Sequence, residues 1–206
     1  MTEQHVSMPH NIVGNPNGDK LKTAAQGEGI SEEEWRAQNL PAEKITFRWR
    51  YTNKEIQLYE RRLRSLRAYN VGPAVQAWVR SRLEWVRDNK LYEKPSGVIV
   101  LSIDPEGDVD IQLEDAVPPF KGCTGTMWVA NGSRLAAVVQ GGELRTAADT
   151  LVRDLAKTLG YEVRTVPVPP TVLDEAFIVS DEFGAVPMVE GPTAKKMREC
   201  FDKVFA

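Results

Sequence analysis

Histidine is nearly missing from this 206-residue sequence: His5 and His10 are its only two, and both lie in a polar stretch without apolar periodicity. That scarcity removes most metal sites and every nucleophile that depends on a neighbouring imidazole. Cysteine is equally sparse. Cys123 and Cys200 stand far apart and make no disulfide framework, so two reduced thiols in a reducing compartment are expected. No run approaches the roughly 18 apolar residues of a membrane span, and the N-terminus lacks the charged-then-apolar pattern of a signal peptide. The expectation is a cytoplasmic protein. An excess of positive charge is lacking too: 26 Lys and Arg against 29 Asp and Glu leave a net charge of −3, which argues against a general nucleic-acid binder.

What is present suits a folded α/β protein. An apolar fraction of 42% against 27% charged residues is enough to build a core, in one ordinary domain or two small ones. Residues 1–30, with Gly14-Asn15-Pro16-Asn17-Gly18, carry turn formers without periodicity and read as a disordered leader. Ser31-Glu32-Glu33-Glu34 has the form of a capping box, so a short helix should follow and end before Pro41.

From Ile45 to Thr52, Ile45, Phe47, Trp49 and Tyr51 alternate with Thr46, Arg48 and Arg50, the period of a half-buried strand. Asn53-Lys54 reads as a turn. Two helices are predicted next: about 55–69, with Tyr59, Leu63 and Leu66 on one face, and about 74–89, with Val75, Val79, Leu83 and Val86 on one face. Val98–Ile103 and Val109–Leu113 form one hairpin, and the segments flanking Asn131-Gly132 form another. The last third predicts a helix over 146–159, strands over 161–168, 176–179 and 184–189, and a helix over 192–205 that starts at Pro192.

These motifs, in this order, resemble the class IV aminotransferases, the fold-type IV pyridoxal-phosphate enzymes that include branched-chain aminotransferase, D-amino-acid aminotransferase and aminodeoxychorismate lyase. The residues that carry the resemblance are Gly125-Thr126-Met127-Trp128-Val129-Ala130-Asn131-Gly132, Asp149-Thr150-Leu151-Val152-Arg153-Asp154-Leu155-Ala156-Lys157, Leu159-Gly160-Tyr161-Glu162-Val163, Asp174-Glu175-Ala176-Phe177, Gly184-Ala185-Val186-Pro187-Met188 and Gly191-Pro192-Thr193-Ala194-Lys195-Lys196. The resemblance implies an α/β (α+β) chain in two parts, a small α+β domain over 31–113 and a domain with a mixed sheet and flanking helices over 122–206. It also implies a homodimer, an amino or keto acid as small-molecule ligand, and pyridoxal phosphate as cofactor.

Set against that pattern, the cofactor residues are altered. The segment that bears the Schiff-base lysine is missing, which leaves Lys121, in Pro118-Pro119-Phe120-Lys121-Gly122, as the candidate; the alternative is an exposed loop lysine. The carboxylate for the pyridine nitrogen falls on Lys121 or Cys123. The pair that would hold the phosphate from a helix start falls on Ala147-Ala148, and the later phosphate hydroxyl falls near Ser180-Asp181, where a carboxylate would repel a phosphate. The phosphate arginine maps to Ser65 in one register and to Arg62 in another.

Three functions are consistent with these residues. One is a degenerate aminotransferase-like protein kept for small-molecule or subunit binding. Another is an active pyridoxal-phosphate aminotransferase or lyase with Lys121 as Schiff base. The third is an anionic-partner or nucleic-acid module built on Arg48, Trp49, Arg50 and Tyr51. The acidic turn Asp104, Glu106, Asp108, Asp110 lacks the twelve-residue calcium loop and reads as a solvated hairpin, so no metal is expected. The apolar faces over 74–89 and 192–205 offer surface for the homodimer.

Overall fold

The computed structural model describes residues 4–5, 19–91, 93–140 and 145–206. They fall into two compact units, Met1–Ala116 and Val117–Ala206.

In the first unit an antiparallel sheet carries the order β1-β4-β3-β2. Its members are β1 (Gln4–His5), β2 (Ile45–Tyr51), β3 (Gly97–Ile103) and β4 (Val109–Glu114). Alternation along β2 works as the sequence implies: Phe47, Trp49 and Tyr51 are buried, while Arg48 turns outward to Glu114 at 2.8 Å. Against the buried face packs α4 (Pro73–Asn89), whose Val75, Val79, Leu83 and Val86 are each 0% exposed. The surplus apolar face expected of this helix is therefore covered within its own unit.

Shorter helices belong to the same unit. Helix α2 (Glu32–Asn39) begins with the expected capping box, in which the Ser31 hydroxyl accepts from the Glu34 amide and the Glu34 carboxylate accepts from the Ser31 amide. Its end is held by Asn70, whose side-chain amide donates to the carbonyls of Ala37 and Leu40. Gly72 lies so close to Asn39 that a Cβ there would meet the Asn39 side chain at 1.8 Å, so no other residue fits. The helix expected from residue 55 starts later: Asn53 and Lys54 adopt φ of 54° and 67°, close a tight turn between Thr52 and Glu55, and delay α3 to Tyr59–Ser65.

The leader assignment needs a correction where the structure describes it. Helix α1 (Asp19–Glu28) occupies part of that stretch, and Leu21 and Ala25 are buried in the core with Trp35. Ala24 packs against the same core from a half-buried position, so a short apolar face docks an otherwise largely polar helix. Residues 1–3 and 6–18 of the proposed leader lie outside the described residues.

The second unit is a five-stranded mixed sheet of order β7-β6-β5-β8-β9. Its strands are β5 (Thr126–Asn131), β6 (Arg134–Val138), β7 (Glu162–Val166), β8 (Glu175–Ser180) and β9 (Gly184–Val189). The β5–β6 hairpin turns through Gly132 at φ 57°, as its Asn-Gly signal requires. Only β6 and β7 run parallel, joined by α5 (Ala147–Thr158). Strand β7 stops at Val166 rather than 168 because Pro167 and Pro169 cannot donate to a ladder. Helix α6 (Pro192–Val204) lies on β9 and buries Ala194, Met197 and Phe201. Among the described residues no helix is long and apolar enough to cross a membrane.

Candidate functional site

The buried polar residues of the second unit gather at the start of α5. Thr146 caps the helix, and its hydroxyl accepts from the Asp149 amide at 3.0 Å. The Asp149 carboxylate, 1% exposed, takes three donors: the Thr126 hydroxyl at 2.7 Å, the Trp128 indole at 2.9 Å and the Thr146 hydroxyl at 2.8 Å. Burial pushes this carboxyl up from its ordinary range, the three donors pull it down, and the nearby Asp181 carboxylate pushes it up again.

Asp181 reaches the same helix start from the β8–β9 turn. Its Oδ1 accepts from the Ala148 amide at 2.7 Å, and the residue is 7% exposed. Ser180 holds that turn, its hydroxyl accepting from the Phe183 amide at 3.0 Å. The fold thus brings together Ala147, Ala148 and Ser180, three positions expected to line a cofactor phosphate. The methyls of Ala147 and Ala148 are fully buried, so neither position presents a hydroxyl.

Lys121 sits in an exposed turn at Lys121-Gly122. Next to it, the Phe120 ring meets Phe183 edge-on at 5.8 Å, which sets this loop against the 181–183 turn. Cys123 is buried, and burial pushes its thiol up, helped by the Glu182 carboxylate, so it is a packed side chain rather than a nucleophile.

Arg62 belongs to the first unit and is 0% exposed. Its guanidinium donates to the Arg50 carbonyl at 2.6 Å and lies 5.8 Å from the centre of the Trp49 ring, so it braces β2 against α3. Trp49 and Tyr51 are fully buried. The rings on which a nucleic-acid base would have to stack are therefore inside the core. Among the described residues no group of three or more His, Cys, Asp or Glu is placed to hold a metal ion.

A second concave feature runs along β5, β6 and β7. It is an open groove of about 560 Å³ lined by Val129, Ala136, Val166, Pro170 and Val172 and by the guanidinium residues Arg134 and Arg164. Both arginines contact the Glu162 carboxylate.

Sequence reasoning located the 147–148 and 180–181 positions but missed Thr126, Trp128, Thr146 and Asp149 as one network. The available signal was Thr146-Ala147-Ala148-Asp149, a hydroxyl followed three residues later by an acid at a helix start. Nothing in the sequence shows that Trp128 turns its indole to that acid.

No protein-family model matches the sequence, and no curated protein is significantly similar to it. Solved structures are similar in fold. The 4-amino-4-deoxychorismate lyase of Pseudomonas aeruginosa superposes with a TM-score of 0.58 at 13% identity, over 78% of this chain and 90% of that one. A hypothetical aminotransferase of Mycobacterium tuberculosis, in its pyridoxal-phosphate-bound form, gives 0.58 at 10% identity, over 82% and 92%. A provisional branched-chain amino acid aminotransferase of Thermotoga maritima gives 0.57 at 14% identity, over 96% and 92%. At these identities the likeness establishes the fold and leaves the chemistry to the residues.

Three features depart from the grip on pyridoxal phosphate that the resemblance implies. The helix start that would face its phosphate already holds a carboxylate, neither alanine supplies a hydroxyl, and the candidate lysine is exposed on a loop.

Proposed function

From a chain with the fold of the class IV aminotransferases, we propose a cytoplasmic, non-catalytic protein of that fold, kept for binding a small molecule or a second subunit. The observation that carries this reading is the 2.7 Å bond from the Ala148 amide to the Asp181 carboxylate. An anion of the protein's own occupies the helix start, and two carboxylates, Asp149 and Asp181, stand within one helical turn of it. A phosphate dianion brought there would meet the Asp181 carboxylate directly, with the Asp149 carboxylate turned away beside it.

The groove along β5–β7 supports small-molecule binding. Its volume lies within the roughly 300–1,000 Å³ of ordinary ligand sites, and its mixed lining of apolar side chains with two arginines, which a ligand carboxylate would share with Glu162, suits an amino or keto acid with an apolar side chain. A homodimer would have Phe120, Val168 and Val172, which are 54%, 68% and 70% exposed, available for its interface. The face of α6 proposed for that role from the sequence is instead buried on β9.

Two measurements test the proposal. Titration of the purified protein with pyridoxal phosphate should give no saturable absorbance band of an internal aldimine; a stoichiometric band would make this an enzyme. Sedimentation should show a concentration-dependent dimer, and a monomer at every concentration would remove the subunit role.

A further inference from the structure

Asp181 reaches α5 across 33 positions of sequence, and the turn that delivers it is rigid. Ser180 binds the Phe183 amide within the turn, and Gly184 closes it at φ 68°. A Cβ on Gly184 would lie 2.7 Å from Phe201, so the turn is packed directly on α6. The carboxylate is thus held at the helix by tertiary structure rather than by a flexible side chain finding a partner.

The start of a helix favours an anion, because its first amides lack intrahelical acceptors and its dipole is positive there. Two of those amides are taken: Asp149 by Thr146, and Ala148 by Asp181. Asp149, next along the helix, turns its own carboxylate away to Thr126, Trp128 and Thr146. The one carboxylate that replaces an external anion is therefore that of Asp181.

We infer that Asp181 is the specificity-determining residue of this site, a built-in anion that excludes phosphate monoesters from the α5 amides. The inference rests on the reading of the chain as a protein that does not bind pyridoxal phosphate. Removing the side chain should uncover a seat for inorganic phosphate. Replacing it with a neutral side chain of the same shape should leave the seat filled.

The test uses the full chain as wild type, Asp181→Gly and Asp181→Asn, with inorganic phosphate as probe and chloride at matched ionic strength as reference. Calorimetry on Asp181→Gly should show saturable phosphate binding at least about tenfold tighter than in wild type, and its thermal midpoint should rise with phosphate. Asp181→Asn, whose side-chain oxygen still accepts from Ala148, should gain nothing. A folded Asp181→Gly that binds phosphate no better than wild type would overturn the inference and leave the proposed function standing. Saturable binding of pyridoxal phosphate by wild type would instead remove the proposed function itself. Should Asp181→Gly fail to fold, the Ala148 amide resonance of wild type decides: it should not move on adding phosphate, and a saturable shift would refute the inference.

Discussion

Asp149→Ala should lower the stability of the protein by about 3 kcal/mol, read as the shift of the denaturant midpoint at an unchanged slope. The substitution leaves the Trp128 indole, 0% exposed, and the hydroxyls of Thr126 and Thr146 without their acceptor. A buried donor without a partner loses its solvation and gains nothing in return, and three share the loss here. Asp149→Asn keeps one oxygen in place, and both hydroxyls can rotate to accept from its amide, so its cost should be about 1 kcal/mol.

The two variants also separate by pH. The Asp149 carboxyl is held above its ordinary value of about 3.9, first by burial and then by Asp181. The native state therefore keeps this proton more tightly than the unfolded chain. The stability that the group contributes is fully present below the ordinary value and is lost as pH rises from about 4 through the raised native value. Denaturant curves across that interval should show Asp149→Asn gaining on wild type as pH rises. A constant difference would mean that the carboxyl titrates alike folded and unfolded.

Leu83→Ala should cost about 3 kcal/mol, the transfer of the lost methyl groups plus the cavity they leave. Leu83 is 0% exposed on the buried face of α4, in the same core cluster as Val79, Val86 and Trp49. Leu159→Ala is the control: that side chain is 38% exposed at the end of α5 and should cost well under 1 kcal/mol. Equal losses at the two positions would show that α4 does not bury this face.

The strands and long helices were legible because their apolar residues recur at the right period. Phe47, Trp49 and Tyr51 mark β2, and Val75, Val79, Leu83 and Val86 mark α4, each with one unambiguous face. Asn131-Gly132 and Pro192 fixed a turn and a helix start by chemistry that does not depend on the rest of the fold. The turn at Asn53-Lys54 was legible, and both residues adopt positive φ there; Leu58 does too, and nothing in a leucine announces that α3 must wait until Tyr59. Leu21 and Ala25 were missed because one leucine and two small alanines make too short a stripe to stand out as a period.

The candidate site divides in the same way. Its positions were readable from the order of motifs, since Ala147-Ala148 and Ser180-Asp181 do converge. The bond between them was not, because it depends on a turn 33 residues away being packed against α6 by Gly184 and Phe201. From the sequence Asp181 could be seen only as a charge unwelcome to a phosphate; the structure places its carboxylate on the amide. Arg62 shows the reverse: a cation suited by sequence to an anion is spent on the Arg50 carbonyl and the Trp49 ring inside the core.

Borohydride reduction in the presence of one equivalent of pyridoxal phosphate, followed by intact and peptide mass spectrometry, tests the central claim most directly, because a reduced Schiff base survives as a covalent mark on its lysine. The account predicts scattered, substoichiometric modification of surface lysines that pyridoxal lacking its phosphate reproduces equally. A single stoichiometric adduct on Lys121 that requires the phosphate would contradict it and make this chain a working pyridoxal-phosphate enzyme.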